Sequence, residues 1–309
     1  MARAACIGEC MVELSEHPGG ALTRAFGGDT LNTALYLARL GVPVDYVTAL
    51  GDDPFSSEMA AAWAAEGIGT DLVLRAPGRV PGLYLIRTDD RGERSFFYWR
   101  DSAPVRDLFG LPGLEAVEAA VCRADLVYVS GITLSLFDPA SREKLFALLA
   151  RARAAGARVA FDTNFRSRGW PDRAEARRVF DRALRGSDVV LASVEDHALL
   201  HGSDDPMALA HHLREAGVAE AVVKLAHPAC HVVSAPGGET VEAEPVEGVV
   251  DTTAAGDSFA AGYLAARRAG RVPAEAARVG HRVAGAVVQF RGAVIPRERM
   301  PRIDLGVEP

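Results

Sequence analysis

The chain has 309 residues, 49% of them hydrophobic, enough to bury one large α/β core or two small domains, and a single domain is the expectation. A net charge of −7 without a long basic run argues against a nucleic-acid footprint and leaves room only for a local basic pocket. Lys144 and Lys224 are the only lysines, so the positive charge is almost wholly arginine, a pattern of composition more than of mechanism.

Cys6, Cys10, Cys122 and Cys230 match no zinc or CxxC spacing and read as reduced cytosolic thiols. Glu9 and Glu13 precede any long apolar run, which argues against a signal peptide, and no stretch of about 18 uncharged apolar residues follows. The expectation is a soluble, cytoplasmic protein with no membrane partner.

In chain order, the paired glycines of "GGDTLN" precede a helical pattern, "LNTALYLARL", which Asp29 or Thr30 can cap. Short apolar runs then alternate with helical patterns: "DYVTALG" with "DPFSSEMAAAWAAEGI", "DLVYVSGI" with "DPASREKLFALLARARAAG", and "RVAFDTN" with "EARRVFDRALRG". "DVVLASV", "MALAHHLREAGV" and "AEAVVKLA" continue the alternation, which predicts a mainly parallel sheet covered by helices on both faces.

Residues 82–100, "GLYLIRTDDRGERSFFYWR", break the rhythm and predict two strands around the turn-forming "DDRGE". Their aromatic run is either ordinary cross-strand packing or the face of a lid over a ligand. "RAPGRVPG" and "FGLPGLE" border this hairpin as loops, and no repeat or low-complexity linker divides the chain.

"VVDTTAAGDSFAAGYLAARRAG" predicts a strand end, a turn of small residues and a helix closed by Gly270. The free N–H groups of a helix start carry partial positive charge, and small side chains let a phosphate reach them. Asp257 there is either a helix cap, stabilising by about 1 kcal/mol, or a base that takes a hydroxyl proton while the oxygen attacks the terminal phosphate of ATP.

"DTTAAGDSFAAGYLAA" resembles the C-terminal signature of the ribokinase-like, phosphofructokinase-B-type sugar kinases, and "FGGDTLNTALYLARLG" resembles their N-terminal sugar-binding signature. With "IGECMVELSE", "GLYLIRTDDRGERSFFYWR", "VSGITLSL" and "VVQFRGAVIPRERMP", the resemblance covers nearly the whole chain and is finest to the 2-keto-3-deoxygluconate kinases of that family. It implies a three-layer α/β/α sandwich with a small β lid contributed by roughly residues 12–27 and 76–104, and a homo-oligomer formed through that lid. It also implies Mg-ATP as phosphoryl donor and a sugar acid phosphorylated at its 6-hydroxyl.

Carried onto this sequence, the resemblance makes Asp257 the base and the amides of Ala255, Gly256 and Asp257 an anion hole, with Ala254 beside them. Gly28, Asp29, Thr30, Leu31 and Asn32 would contact the sugar acid; Gly28 permits close approach, while Asp29 and Asn32 can bond hydroxyls. Tyr84, Tyr98, Trp99 and Arg100 would line the substrate from the hairpin, the planar Arg100 guanidinium suiting a carboxylate and setting specificity for sugar acids, with an exposed edge-strand arginine as the other reading.

Asn164 and Arg166 match an Asn-x-Arg element that contacts nucleotide phosphate or substrate at a strand's carboxyl end. Ser193 stands for the asparagine of an Asn-x-x-Glu element, with Glu195 as the carboxylate that positions magnesium through water, or both simply favour the start of a helix. Lys224 would face ATP phosphate, and Ala226 adds a β-carbon where glycine is common, leaving that loop's geometry open.

Arg291 would meet the substrate carboxylate or pair on the surface, and His281 is structural or near adenine. Asp251 and Thr253 occupy the loop where related kinases place a monovalent cation, K+ being the ion considered. The C4 epimer of the sugar acid is not distinguished, and a neutral-sugar kinase for fructose or ribose is the alternative. A non-catalytic binding protein is more distant, and neither GxGxxG after the first strand nor GxxxxGK[ST] is present.

Overall fold

The computed structural model describes residues 3–17, 19–88, 94–234 and 237–306. The "DDRGE" turn at residues 89–93 lies outside them. Strands β1 (Ala4–Ile7), β2 (Met11–Glu16) and β3 (Leu22–Gly27) precede helix α1 (Asp29–Arg39), β4 (Val44–Leu50) and α2 (Pro54–Ala65). Next come β5 (Val73–Arg75), β6 (Leu83–Thr88), β7 (Arg94–Trp99), α3 (Leu114–Val121), β8 (Leu126–Ser130), α4 (Gly131–Leu136) and α5 (Pro139–Ala154).

The second half runs β9 (Arg158–Asp162), α6 (Arg173–Arg185), β10 (Val189–Ser193), α7 (Val194–His201), α8 (Pro206–Glu215) and β11 (Glu220–Lys224). It closes with β12 (Ala229–Ser234), β13 (Gly237–Glu242), α9 (Ala255–Arg268) and α10 (Pro273–Val287).

Among the described residues these strands form a nine-stranded sheet, in order β13-β12-β11-β10-β9-β8-β1-β4-β5, and a four-stranded sheet, β3-β2-β6-β7. The large sheet is parallel from β5 to β11, and only β12 and β13 run antiparallel at one edge. One hydrophobic cluster packs α3, α5, α6 and α8 on one face; the other packs α1, α2, α9 and α10 on the opposite face. This is the three-layer α/β/α arrangement expected of alternating β and α patterns.

The chain moves from β1 to β4 on one side and later returns to β8 on the other, so the strand order reverses at β1. Crevices at such reversals open at the carboxyl ends of parallel strands. The ends of β8, β9, β10 and β11 converge there: Ser130 is in register with Asp162, and Ser193 with Lys224.

Two close approaches seat the helices that cross this end. A Cβ at Gly28, the N-cap of α1, would lie 2.1 Å from the Glu9 carbonyl oxygen. A Cβ at Gly262 would lie 2.9 Å from the Gly280 Cα, so small residues let α9 press against α10. With α9 buried from Asp257 to Ala266, a helix built of Gly and Ala becomes a core element.

In the small sheet, β6 and β7 pair antiparallel and align Tyr84 with Tyr98, their ring centroids 5.9 Å apart. That face is cross-strand packing. Phe97 and Trp99, two residues apart and therefore on one face, are 45% and 61% exposed. The four cysteines are free thiols, and among the described residues no helix is long and apolar enough to cross a membrane.

Candidate active site

The starts of α1 and α9 lie side by side although 225 residues separate their key side chains. Asn32 Nδ2 donates to Asp257 Oδ2 at 2.8 Å, and Thr33 Oγ1 donates to the Asp257 carbonyl at 3.3 Å. Asn164 Nδ2, just past β9, donates to Asp29 Oδ2 at 2.9 Å and so ties the carboxyl end of this central strand to α1. Asn164 has φ 26° and Ala254, the N-cap of α9, has φ 59°. Left-handed backbone at two non-glycine residues is held strain, of the kind that clusters at functional sites.

The strand ends add a second polar layer. Lys224 Nζ lies 3.0 and 3.2 Å from the two Asp162 carboxylate oxygens, and Tyr128 OH donates to Asp162 at 3.4 Å. Thr163 Oγ1 donates to Asp196 Oδ2 at 2.6 Å, while Arg166 Nη1 stands 4.0 Å from Asp196 Oδ1. Ser193 caps α7 by accepting the Asp196 N–H at 3.1 Å.

Burial, and next the negative charge of Asp29, push the Asp257 carboxyl up to about 8, against the Asn32 hydrogen bond and the Lys224 charge. Burial alone would lower the Lys224 ammonium, but Asp162, Asp196 and Asp257 outweigh it and hold the group above its ordinary value. A carboxyl poised near neutrality beside a fixed positive charge has the properties of a general base.

On the small-sheet side, Arg100 forms an ion pair with Glu9, a residue only 3% exposed in the segment after β1. Burial raises the Glu9 carboxyl while Arg100 and Arg106 oppose the shift. Tyr84 is buried and hydrogen-bonds Glu13, whereas Tyr98 remains 44% exposed and Arg100 lies beside its ring, 5.8 Å from the centroid.

Several expected residues sit differently from the sequence reading. Thr30 is fully buried and bonded to Tyr46 OH at 3.0 Å, and Leu31 belongs to the core, so a ligand could meet only their backbone. Glu195 is exposed; Asp196 is the carboxylate turned inward, because counting Asn-x-x-Glu from Ser193 lands on residue 196. The Ala255 amide, expected in an anion hole, already donates to Thr252 O at 3.2 Å and so is engaged within the turn before α9.

Asn164, expected on the nucleotide side, is bonded to Asp29, expected on the sugar side. Asp251 holds its turn together through Thr253 N at 2.9 Å, Thr253 Oγ1 at 2.7 Å and Gly292 N at 3.0 Å, which places the exposed Arg291 next to that turn. Ala226 is exposed in the loop after β11. His281 bonds the Val241 carbonyl at 3.1 Å and packs on Phe259, a structural role.

Glu9, Asp162, Thr163 and Asp196 were not singled out by sequence. The signal for Asp162 was available: one of only two lysines, at a strand end, needs a carboxylate when buried.

A family model described as pfkB family carbohydrate kinase matches residues 1–300. A 2-dehydro-3-deoxygluconokinase of Dickeya dadantii is 45% identical over 305 residues, covering 96% of this chain and 98% of the relative. The protein of the same name from Escherichia coli K12 is 46% identical over 312 residues, again covering 96% and 98%. A solved fructokinase from Xylella fastidiosa with bound ATP superposes with a TM-score of 0.82 at 27% identity, covering 97% of this chain and 96% of that one. The chain therefore belongs to the pfkB family of carbohydrate kinases.

Proposed function

We propose that the protein transfers the terminal phosphoryl group of Mg-ATP to the 6-hydroxyl of 2-keto-3-deoxygluconate (2-dehydro-3-deoxygluconate), giving 2-keto-3-deoxy-6-phosphogluconate. The observation that carries the reading is the Asp257 carboxylate at the start of α9, joined to Asn32 of α1 in a chain nearly half identical to kinases named for this sugar acid. Asp257 accepts the hydroxyl proton as the oxygen attacks in line, and the Gly256 and Asp257 amides offset charge on the transferred group. The Asn32 bond fixes one carboxylate oxygen and so aims the other.

Gly28, Asp29 and Asn32 hold the sugar chain, and Tyr84, Tyr98 and Arg100 close over it from the small sheet, with Trp99 on the opposite face of β7. Glu9 orients Arg100 toward the substrate carboxylate, with Arg166 and Arg291 as further cationic candidates. Asn164, Arg166, Ser193, Lys224, Ala226 and Ala254 border the nucleotide. Asp196 and Thr163 form an all-oxygen pair that suits magnesium held through water, in place of Glu195. Bound magnesium would neutralise phosphate charge. A monovalent cation, K+ among them, fits beside the turn of Asp251 and Thr253.

The exposed Phe97 and Trp99 make the outer face of the small sheet the surface for a homo-oligomer. The whole chain acts as one kinase domain with this sheet as its lid, in the cytoplasm.

One observation favours a neutral sugar instead: the Arg100 charge is already matched by Glu9. ADP release from Mg-ATP with 2-keto-3-deoxygluconate, 2-keto-3-deoxygalactonate, fructose and ribose in parallel separates the readings. Turnover confined to the keto-deoxy acids supports the proposal, and preference for fructose or ribose overturns the substrate while keeping the chemistry of Asp257.

A further inference from the structure

Behind the strand-end carboxylates, His197 and His201 of α7 meet His212 of α8. Their ring centroids are 4.8 Å apart for His197 and His201, 4.6 Å for His201 and His212, and 5.6 Å for His197 and His212. One nitrogen from each ring lies within 4.8 Å of the others. Spacing of four residues puts His197 and His201 on one face of α7, the helical arrangement that presents two imidazoles to one ion.

Asp181 of α6 stands behind the cluster, its Oδ1 3.2 Å from His212 Nε2. With His212 ligating through Nδ1, its Nε2–H would be left to donate to Asp181, an arrangement that fixes tautomer and ring orientation in metal sites. Leu184, Leu200, Leu209 and Leu213 line the same small pocket, while His201 and His212 remain half-buried and leave a way in from solvent.

We propose that His197, His201 and His212 bind a borderline divalent transition ion of the zinc type, with water in the fourth position, and that the ion fastens α7 to α8. Zinc–nitrogen bonds of about 2.0–2.1 Å in a tetrahedron set the nitrogens roughly 3.3 Å apart. The rings therefore need to close by no more than about 1.5 Å, within the reach of side-chain rotation. Imidazole nitrogens select such ions over magnesium, which prefers oxygen. Thr163, Ser193 and Asp196 line the same pocket and His197 directly follows Asp196, so the ion would also steady the start of α7.

The test is titration of the untagged chain with Co2+ in excess Mg2+, followed by visible absorption and by thermal unfolding. We expect one Co2+ per chain, a d–d band displaced by one equivalent of Zn2+, and a higher unfolding midpoint with either ion. His201→Gln and His212→Gln each abolish the band at the same Co2+ concentration while leaving Mg-ATP turnover intact, and Asp181→Asn weakens uptake ~10-fold. Absence of a band in the parent chain, or a band that survives in both histidine variants, overturns the site. Should either variant fail to fold, the other and Asp181→Asn still decide the matter.

Discussion

The paired starts of α1 and α9 and the four-stranded sheet solve the same problem, holding polar groups against a small ligand, in opposite ways. At the helix starts, Asn32, Asp29, Asn164 and Asp257 are bonded to one another across most of the chain's length and packed on buried helices. In the sheet, polar pairs such as Glu9 with Arg100 and Glu13 with Tyr84 lie inward, while Phe97 and Trp99 face out. If, as proposed, the first region serves charge development and the second recognition and contact, substitutions should separate turnover from specificity.

The largest effect should come from Asp257→Asn, which keeps shape and removes the proposed base. Removing a general base lowers kcat by 10²–10⁴-fold, and we expect a loss of at least ~10³-fold with little change in substrate KM. Turnover within tenfold of the parent would remove Asp257 from the chemistry. Before substrate binds, kcat/KM should rise with pH and level off as the carboxyl ionises at about 8.

Stability should move the opposite way. The folded-state value of about 8 lies above the ordinary carboxyl, so Asp257 contributes full stability below pH ~4 and loses it as pH rises toward about 8. Asp257→Asn should therefore be more stable than the parent at pH 8, by up to a few kcal/mol, and nearly equal at pH 4. Denaturant melts at both pH values check the sign, and a variant less stable at pH 8 would contradict the electrostatic account.

In the sheet, Arg100→Ala should lower kcat/KM for the keto-deoxy acid by about 10²-fold and for neutral sugars much less, since a lost charge pair is worth several kcal/mol. Glu9→Gln frees the guanidinium and sharpens the test: if Glu9 only orients Arg100, the acid loses less than ~10-fold in Glu9→Gln. Equal losses on acid and neutral sugars would place Arg100 in the lid's packing and not in recognition.

Lys224→Met leaves Asp162 buried without its partner and should destabilise the chain by about 2 kcal/mol, while Lys224→Met with Asp162→Asn should recover most of that. A double variant as unstable as the single one would show that Lys224 acts through packing. Its ATP KM separates this structural part from any contact with phosphate.

Much of the fold was legible because the β and α patterns alternate with clear punctuation, and the Gly/Ala-rich α9 with Asp257 at its start carries a spacing that chemistry explains. The inward polar pairs were not. Glu9 and Arg100 meet because β2 and β7 flank β6 in one sheet, on either side of Gly82, a juxtaposition no local pattern encodes. The choice between Glu195 and Asp196 turns on a rotation of about 100° along α7, which neighbouring acidic residues leave ambiguous until Thr163 is seen to bond Asp196. Thr30 was similarly hidden, since a hydroxyl at a helix start serves a ligand or a buried tyrosine equally well and here serves Tyr46.

The smallest effect on chemistry should come from the sheet's outer face. Trp99 is 61% exposed yet bulky and apolar, and Phe97 lies on the same face, an arrangement that gains by being covered. If a second copy of the chain covers it, Trp99→Asp should shift the solution mass toward the monomer in sedimentation, because a charge there would have to be desolvated at the interface. Turnover at saturating substrate should fall less than about threefold, since Asp257 and Asn32 stay within one chain. A mass unchanged by Trp99→Asp, with turnover reduced as much as in Arg100→Ala, would instead make this tryptophan part of the substrate closure, and the division between a chemical region and a contact region would have to be redrawn through β7 itself.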